Sequence, residues 1–265
     1  MAYDTSTRYQ RSIAFPHLPH LHTLIALQKP VRYARRFLRA VSPAPRFTKA
    51  PDPVLTDSLE GAAVHYREHH WAFMESVFTP EFHTALLSQF PRRRYMEPPK
   101  TIYKSYDIGF QWERGRGGGK YLSLHPVYEA LHHYLCSEAF SKRITLASGS
   151  SAPLSCRTFL VNRTYPGSLV IAHKDSPIPK EFTPYINMVF FLDATGGEES
   201  GALILARDNE YRDIVFDPPV LRNSCLIYDT EAPLYHGFKP IAWGKHRFAL
   251  TASFARSDYV PRSSE

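Results

Sequence analysis

CRTFLVNRTYPGSLVIAHKD, residues 156–175, is the stretch on which the fold turns. Residues 157–165 and 169–173 are two short runs rich in Val, Leu, Ile, Phe and Thr, which suit a pleated, half-buried surface. Pro166-Gly167-Ser168 separates them with residues that turn a chain. The second run ends in His173-Lys174-Asp175, placing an imidazole and a carboxylate two residues apart. On an extended segment that spacing points both side chains to one face.

The same texture continues downstream, in runs at 185–192, 202–206, 214–216, 224–228, 236–240 and 247–254. Eight short strands punctuated by Gly and Pro predict a β sandwich or jelly roll. On the last run Arg247, Ala249, Thr251 and Ser253 share one face, suited to a polar pocket. Phe248, Leu250, Ala252 and Phe254 share the other, suited to packing beneath helices.

Upstream, residues 54–154 read as a helical lead-in to a core at 155–256, within one domain spanning 54–265. Thr79 is a candidate N-cap with Pro80 in the first turn, opening a helix that runs to Phe90 and stops at Pro91. Further helices are expected from Pro126 to about Cys136 and over 138–146. Residues 71–78 alternate loosely and read as a strand. His65-Tyr66-Arg67-Glu68-His69 spells the H-x-x-E-H of an inverted zinc protease, chemistry that needs a helix showing both histidines on one face. Because the run leads into the strand-like 71–78, that reading is set aside. Gly115-Arg116-Gly117-Gly118-Gly119-Lys120 looks like a phosphate loop, but Arg114 and Tyr121 stand where Gly and Ser or Thr are required. A mobile loop over the site mouth is the expectation, with residues 176–184 as a second gate.

At 265 residues the chain can bury a sizeable core, and no apolar run reaches transmembrane length. Three cysteines, with no C-x-x-C and no secretory leader, point to a reducing cytoplasmic setting and give the sequon Asn162-Arg163-Thr164 no weight. The net charge of +7 is lopsided. Residues 1–51 hold nine Lys or Arg against Asp4, so this segment is +8 and the remaining 214 residues are −1. From Pro30, Val31, Ala34, Phe37, Leu38 and Val41 form an apolar helical stripe with four arginines opposite. This basic segment and linker, 1–53, reads as a helix docked on the domain. Its alternatives are a peripheral contact with a membrane or other anionic surface through residues 29–49, and a transit peptide. Specific nucleic-acid recognition is not expected.

His236 joins His173 and Asp175 to complete a two-His, one-carboxylate set. Such a set grips one face of a divalent metal and leaves the opposite positions open, which a non-haem Fe(II) centre binding a cosubstrate and O2 requires. Arg247, eleven residues after His236, carries a fork that matches a carboxylate. Singly each residue has an ordinary structural explanation; order, spacing and β context give them joint meaning.

Together these residues resemble the 2-oxoglutarate- and Fe(II)-dependent oxygenases, in their prolyl-hydroxylase-like branch. The resemblance rests on Tyr165-Pro166-Gly167-Ser168, His173-Lys174-Asp175, residues 185–192, Gly196-Gly197, Gly201-Ala202-Leu203, His236 and Arg247, and covers about residues 155–256. It implies a mainly β architecture with flanking helices, built on a double-stranded β-helix core of the jelly-roll or cupin-like kind. It implies Fe(II) held by His173, Asp175 and His236, with 2-oxoglutarate and O2 as cosubstrates. Arg247 would pair with the distal carboxylate of 2-oxoglutarate, helped by Tyr165, with Thr251 in a secondary role and Asn187 lining the pocket. Family members often carry Ser or Thr two residues after the arginine; Ala249 stands there instead. Asp175 disfavours halogenation, since halogenating relatives replace that carboxylate. The implied reaction is hydroxylation of a small molecule or amino-acid-like intermediate, with succinate and CO2 as coproducts; desaturation or cyclisation shares its start. The alternatives are the same chemistry on a protein side chain or membrane glycolipid, a cupin-like metal protein that needs no Arg247, and a non-catalytic binding module.

Overall fold

A computed structural model of the chain describes residue 34 and residues 52–53, 55–93, 96, 106–114, 117–118, 125–175, 185–195 and 201–256. Apart from Ala34, which is helical, the basic leader lies outside the described residues, as do the proposed gate at 176–184 and Gly196-Gly197.

The elements in order are α1 (Ser58–His69), β1 (Trp71–Glu75), α2 (Pro80–Ser88), β2 (Asp107–Glu113), β3 (Gly117–Gly118), α3 (Pro126–Leu135) and α4 (Glu138–Ser148). Then come β4 (Leu154–Thr164), β5 (Val170–His173), β6 (Tyr185–Ala194), β7 (Ile204–Ala206), β8 (Ile214–Phe216), β9 (Ser224–Asp229), β10 (Tyr235–Phe238) and β11 (Arg247–Arg256). One sheet has the order β1-β9-β6-β11-β4-β2-β3 and the other β5-β10-β7-β8.

From β4 to β11 the pairing is nested: β4 with β11, β5 with β10, β6 with β9, and β7 with β8, all antiparallel. A long hairpin folded over so that its pairs fall alternately into two sheets is a jelly roll, here a double-stranded β-helix. The two sheets face each other, which is how His173 of β5 and Arg247 of β11 come to share one cavity. All eight runs expected from 157 onward are strands, with ends shifted by a few residues.

Period-two alternation sorts the large sheet's side chains between two cores. Met188, Phe190 and Leu192 of β6, Cys225 and Ile227 of β9, and Leu250, Ala252 and Phe254 of β11 pack against the helices. Val189, Phe191, Leu226 and Tyr228 point instead toward the small sheet, where Val170, Leu205 and Phe238 meet them. Each fully buried Phe or Leu in these layers contributes about 1.5–3 kcal/mol through water exclusion.

Capping chemistry sets the helix starts. The Thr79 hydroxyl accepts from the Phe82 backbone N–H with Pro80 beginning α2, and the Ser137 hydroxyl does the same for Phe140 at the head of α4. The buried Gln89 side chain accepts from Val127 N–H at 3.1 Å, tying the end of α2 to the start of α3. A bulge at Leu192 opens the β6–β11 ladder, and the Leu192 carbonyl accepts from His83 Nε2 of α2 at 2.7 Å.

Three expectations change. The H-x-x-E-H run is helical, in α1, because Leu59, Ala63 and Tyr66 give it a buried stripe at helical spacing. The lead-in also contributes strands: β2 extends the large sheet beside β4. Finally, Gly117 and Gly118 pair with Glu113 and Trp112, so the centre of the expected loop is a short strand on the sheet edge. No helix among the described residues is long and apolar enough to cross a membrane.

Candidate functional site

His236 of β10 lies directly opposite His173, the last residue of β5. Directly paired residues on neighbouring strands project to the same face, and the two imidazole centroids are 4.3 Å apart. Asp175, two residues beyond His173, meets both rings. Its Oδ1 is 3.4 Å from His173 Nε2 and its Oδ2 is 3.4 Å from His236 Nε2. One ligand atom from each of the three residues lies within 4.8 Å of the others, the one such group of His, Cys, Asp or Glu among the described residues. The structure brings together the three residues that the sequence singled out.

Supporting contacts fix how these groups point. His173 Nδ1 donates to the Ile171 carbonyl at 2.7 Å, which sets the tautomer and turns Nε2 toward Asp175. Asn187 Nδ2 donates to Asp175 Oδ2 at 3.1 Å and Nδ2 also reaches the Tyr228 hydroxyl at 2.9 Å. The Ser253 hydroxyl donates to Asn187 Oδ1 at 2.6 Å and Thr158 donates to Ser253 at 2.9 Å. A relay of neutral side chains across β4, β11 and β6 therefore orients the carboxylate. Burial and Asp175 together push the Tyr185 and Tyr228 phenols up, so both stay protonated beside the carboxylate.

Gly237 permits the strand crossing. A Cβ there would sit 2.4 Å from the Val170 carbonyl and 2.4 Å from the Tyr211 hydroxyl. Between the His236–His173 and Phe238–Val170 pairs the β5–β10 ladder slips register, two steps along β10 spanning three along β5, so Val170 and His173 both face the cavity although they are three residues apart.

These groups line a cavity of about 190 Å3 between the sheets. Arg247 stands in it, only 3 % exposed. Its Nη1 donates to the Gly201 carbonyl, and its guanidinium lies 4.5 Å from the Phe238 ring centre and 5.6 Å from that of Phe191. Among the described residues its buried Nε has no hydrogen-bond partner and no acid pairs with it. Burial pulls the pKa of Arg247 down to about 10, still far above neutrality, so the group is a buried cation. Gly201 holds that carbonyl with φ +83°, and a Cβ there would collide with Ile241 at 2.2 Å.

Thr251 and Asn187 also line the cavity, but Tyr165 does not. Tyr165 lies under the guanidinium of Arg93, 4.7 Å from centroid to Cζ, just past the end of β4. The phenol near Arg247 is Tyr106, pushed up to about 12 by burial, with Arg247 opposing. The sequence reading also missed Gln111, Thr158, Leu160 and Asn162. The last three sit at alternate positions on β4, a signal the period of a strand offered. Asn162 is buried, which removes it as a glycosylation site.

The second histidine pair, His65 and His69, does share one face of α1, with ring centroids 4.3 Å apart. No third ligand joins it among the described residues.

No family model matches the sequence, and no curated protein does. Solved structures do. A prolyl-4-hydroxylase from Pseudomonas putida aligns with TM-score 0.54 at 16% identity, over 75% of this chain and 98% of that one. A 2OG-Fe(II) oxygenase family oxidoreductase from Burkholderia pseudomallei gives 0.55 at 14%, over 84% and 100%. HygX from Streptomyces hygroscopicus, solved with nickel, 2-oxoglutarate and hygromycin B, gives 0.53 at 11%, over 76% and 88%. The chain has the double-stranded β-helix fold of the 2-oxoglutarate- and Fe(II)-dependent oxygenases.

Proposed function

We propose that the protein is an Fe(II)- and 2-oxoglutarate-dependent oxygenase that hydroxylates a small polar molecule. The observation that carries this is the coexistence of two features in one cavity. A His-Asp-His group offers three ligand atoms to one side, and a buried arginine without an acid partner among the described residues stands beside it. A cation buried at such cost needs an anion, and a dicarboxylate anchored at the metal would supply it. A cupin-like centre that does without 2-oxoglutarate gives no reason for Arg247.

His173 Nε2, His236 Nε2 and one Asp175 oxygen would hold the metal, and bound Fe(II) with 2-oxoglutarate would supply the oxidising chemistry. The remaining roles belong to the chain. Asn187, held by Ser253 and Tyr228, keeps the Asp175 carboxylate aimed; Arg247 receives the distal carboxylate of the cosubstrate with its fork. Thr251, beside Arg247 on the same strand face, lines the same end, and Tyr106 takes the helper place expected of Tyr165. Phe191 and Phe238 exclude water from the guanidinium, which strengthens its attraction for a carboxylate.

Gln111, Thr158, Asn162 and Tyr185 form an uncharged polar wall on the β2–β4–β6 side. Such a wall suits a substrate rich in hydroxyl or amide groups. Among structures of this fold, HygX was solved with hygromycin B and a Trichoplax adhaerens prolyl hydroxylase with a peptide fragment. The neutral polar wall favours the small molecule.

The test is succinate formation from 2-oxoglutarate by Fe(II)-loaded protein under air, across a panel of hydroxyl- and amide-rich small molecules. The expected result is succinate release that rises with one chemical class and disappears in His173→Ala and Arg247→Ala. Metal-loaded wild type that never forms succinate would contradict the proposal and favour the cupin-like reading.

A further inference from the structure

The alternation that sorts the large sheet breaks once along the β4–β11 ladder. Ser253 of β11 pairs with Thr158 and Phe254 pairs with Cys156, so Arg157 is an extra residue between them, a β-bulge. Leu154 and Cys156 belong to the helix-side core, which by period two puts Arg157 on the cavity face. Thr158 lines the cavity as well. Two consecutive residues of β4 thus face the same way. The arginine side chain agrees with this placement. Its Cζ lies 5.2 Å from the ring centre of Tyr185 of β6, which lines the cavity, and its Nε and Nη1 are screened from solvent.

The rungs of the sheet give this arginine its position relative to the site. Along the cavity face of β11, Arg247 comes first and Ser253 three alternate positions later. Ser253 pairs with Asn187, which holds Asp175, so the carboxylate is level with Ser253. Ala255, the next position on that face, pairs with Tyr185 on one side and Ser155 on the other. The stack of Arg157 on Tyr185 therefore lies one rung beyond Asp175, on the side away from Arg247. A dicarboxylate running from the metal to Arg247 leads in the opposite direction and does not use it. The neighbouring charges are Arg114, whose Nη1 donates to Ser155 Oγ at 2.5 Å, and Glu113, opposite Thr158. Two cations against one acid leave this rung positive.

We propose that Arg157 is a specificity-determining residue that takes the anionic group, a carboxylate or a phosphate, of a small polar substrate. The inference rests on the oxygenase reading and names the substrate class within it. The planar fork of a guanidinium matches either group bidentately, and the Tyr185 ring holds it flat. Hydroxyl or amide groups of the same substrate then lie along the neutral wall of Gln111, Thr158 and Asn162. Anchoring the anion one rung past Asp175 fixes which part of the molecule passes the candidate metal ligands.

The experiment is thermal unfolding of the full-length protein, loaded anaerobically with Fe(II) and saturated with 2-oxoglutarate so that Arg247 is occupied. The probes come in pairs: hydroxy acids and N-acyl amino acids each beside its primary amide, and sugar phosphates each beside its free sugar. The charged member of at least one pair is expected to bind about 10–100-fold more tightly than its neutral twin, as a hydrogen-bonded charge implies. Preference confined to the acids assigns a carboxylate, and preference confined to the sugar phosphates a phosphate. Arg157→Gln should abolish the ratio while the shift given by 2-oxoglutarate remains. Arg157→Lys, which keeps the charge and loses the fork, should retain part of it. Should the Gln variant fail to fold, the wild-type ratio and the Lys variant carry the test. Neutral members that bind as well as charged ones to wild type, or a ratio undiminished in the variants, overturns the proposal and leaves the oxygenase reading standing. Absence of any shift with 2-oxoglutarate in wild type overturns both.

Discussion

Arg247 shows the price of readiness at a single residue. Burial lowers its pKa to about 10, a shift worth about 3 kcal/mol at about 1.4 kcal/mol per unit. Burial penalises the charged form, so the cost is present in full below about pH 10 and fades only as the guanidinium deprotonates above it. Arg247→Met removes that cost but leaves the Gly201 carbonyl unpaired, at about 1–3 kcal/mol. Thermal unfolding of the unliganded variant should therefore lie within about 1 kcal/mol of wild type or above it, while the stabilisation given by 2-oxoglutarate with metal disappears. A loss above about 3 kcal/mol would instead make Arg247 a structural residue. Asn187 belongs to the same scale, because it touches Asp175 without being one of the three ligating residues. Asn187→Leu should weaken metal binding about 10–100-fold in a metal titration, as loss of an orienting partner does. Unchanged affinity would dismiss the relay from Thr158 through Ser253.

At the scale of elements, a bulged crossing of β5 and β10 positions the candidate metal ligands. Gly237→Ala would drive a Cβ into the Val170 backbone carbonyl, which cannot swing aside. The expected outcome is a destabilisation of about 1–3 kcal/mol together with weaker metal binding, both read in one thermal titration with and without metal. Full stability with normal metal affinity would show that the crossing tolerates a shift. The elements also show where sequence was informative. The eight core strands were legible because each is a short β-branched or aromatic run between Gly and Pro. His173 and Asp175 were legible because two ligand-type side chains stand two apart at the end of a β run, although β5 itself stops at His173. The strand β2 was not, since DIGFQWE has Asp and Gly, poor strand formers, among its first three residues, and Gly109 serves a close approach to Pro91 instead. The helix α1 was obscured because its buried stripe is only Leu59, Ala63 and Tyr66 amid polar residues. Tyr106 was missed and Tyr165 wrongly placed at the pocket because the register between β2 and β4, a long-range fact, decides which tyrosine faces Arg247.

For the whole molecule, two cores share one sheet. The helix-side core stacks Phe78 on Phe190 with centroids 5.3 Å apart, and its residues supply no cavity wall. Phe190→Ala should cost about 3–5 kcal/mol in denaturant unfolding while leaving metal affinity intact in the folded fraction. A proportionate loss of metal affinity would mean that the helices, and not only the crossing of β5 and β10, set the site. This division also explains what the sequence could disclose at the largest scale. Nested pairing follows from strand count and alternation, whereas the cavity wall drawn from β2 and β4 has neighbours that are set only on closure.

The central claim is that the His-Asp-His group and Arg247 form one site for metal and 2-oxoglutarate. Anaerobic calorimetry of the Fe(II)-loaded protein with 2-oxoglutarate tests it, on wild type, Asp175→Ala and Arg247→Ala. The account predicts micromolar binding, on the order of 8 kcal/mol, lost in both variants. Metal binding with no response to 2-oxoglutarate in wild type, or a response that survives Arg247→Ala, would contradict it.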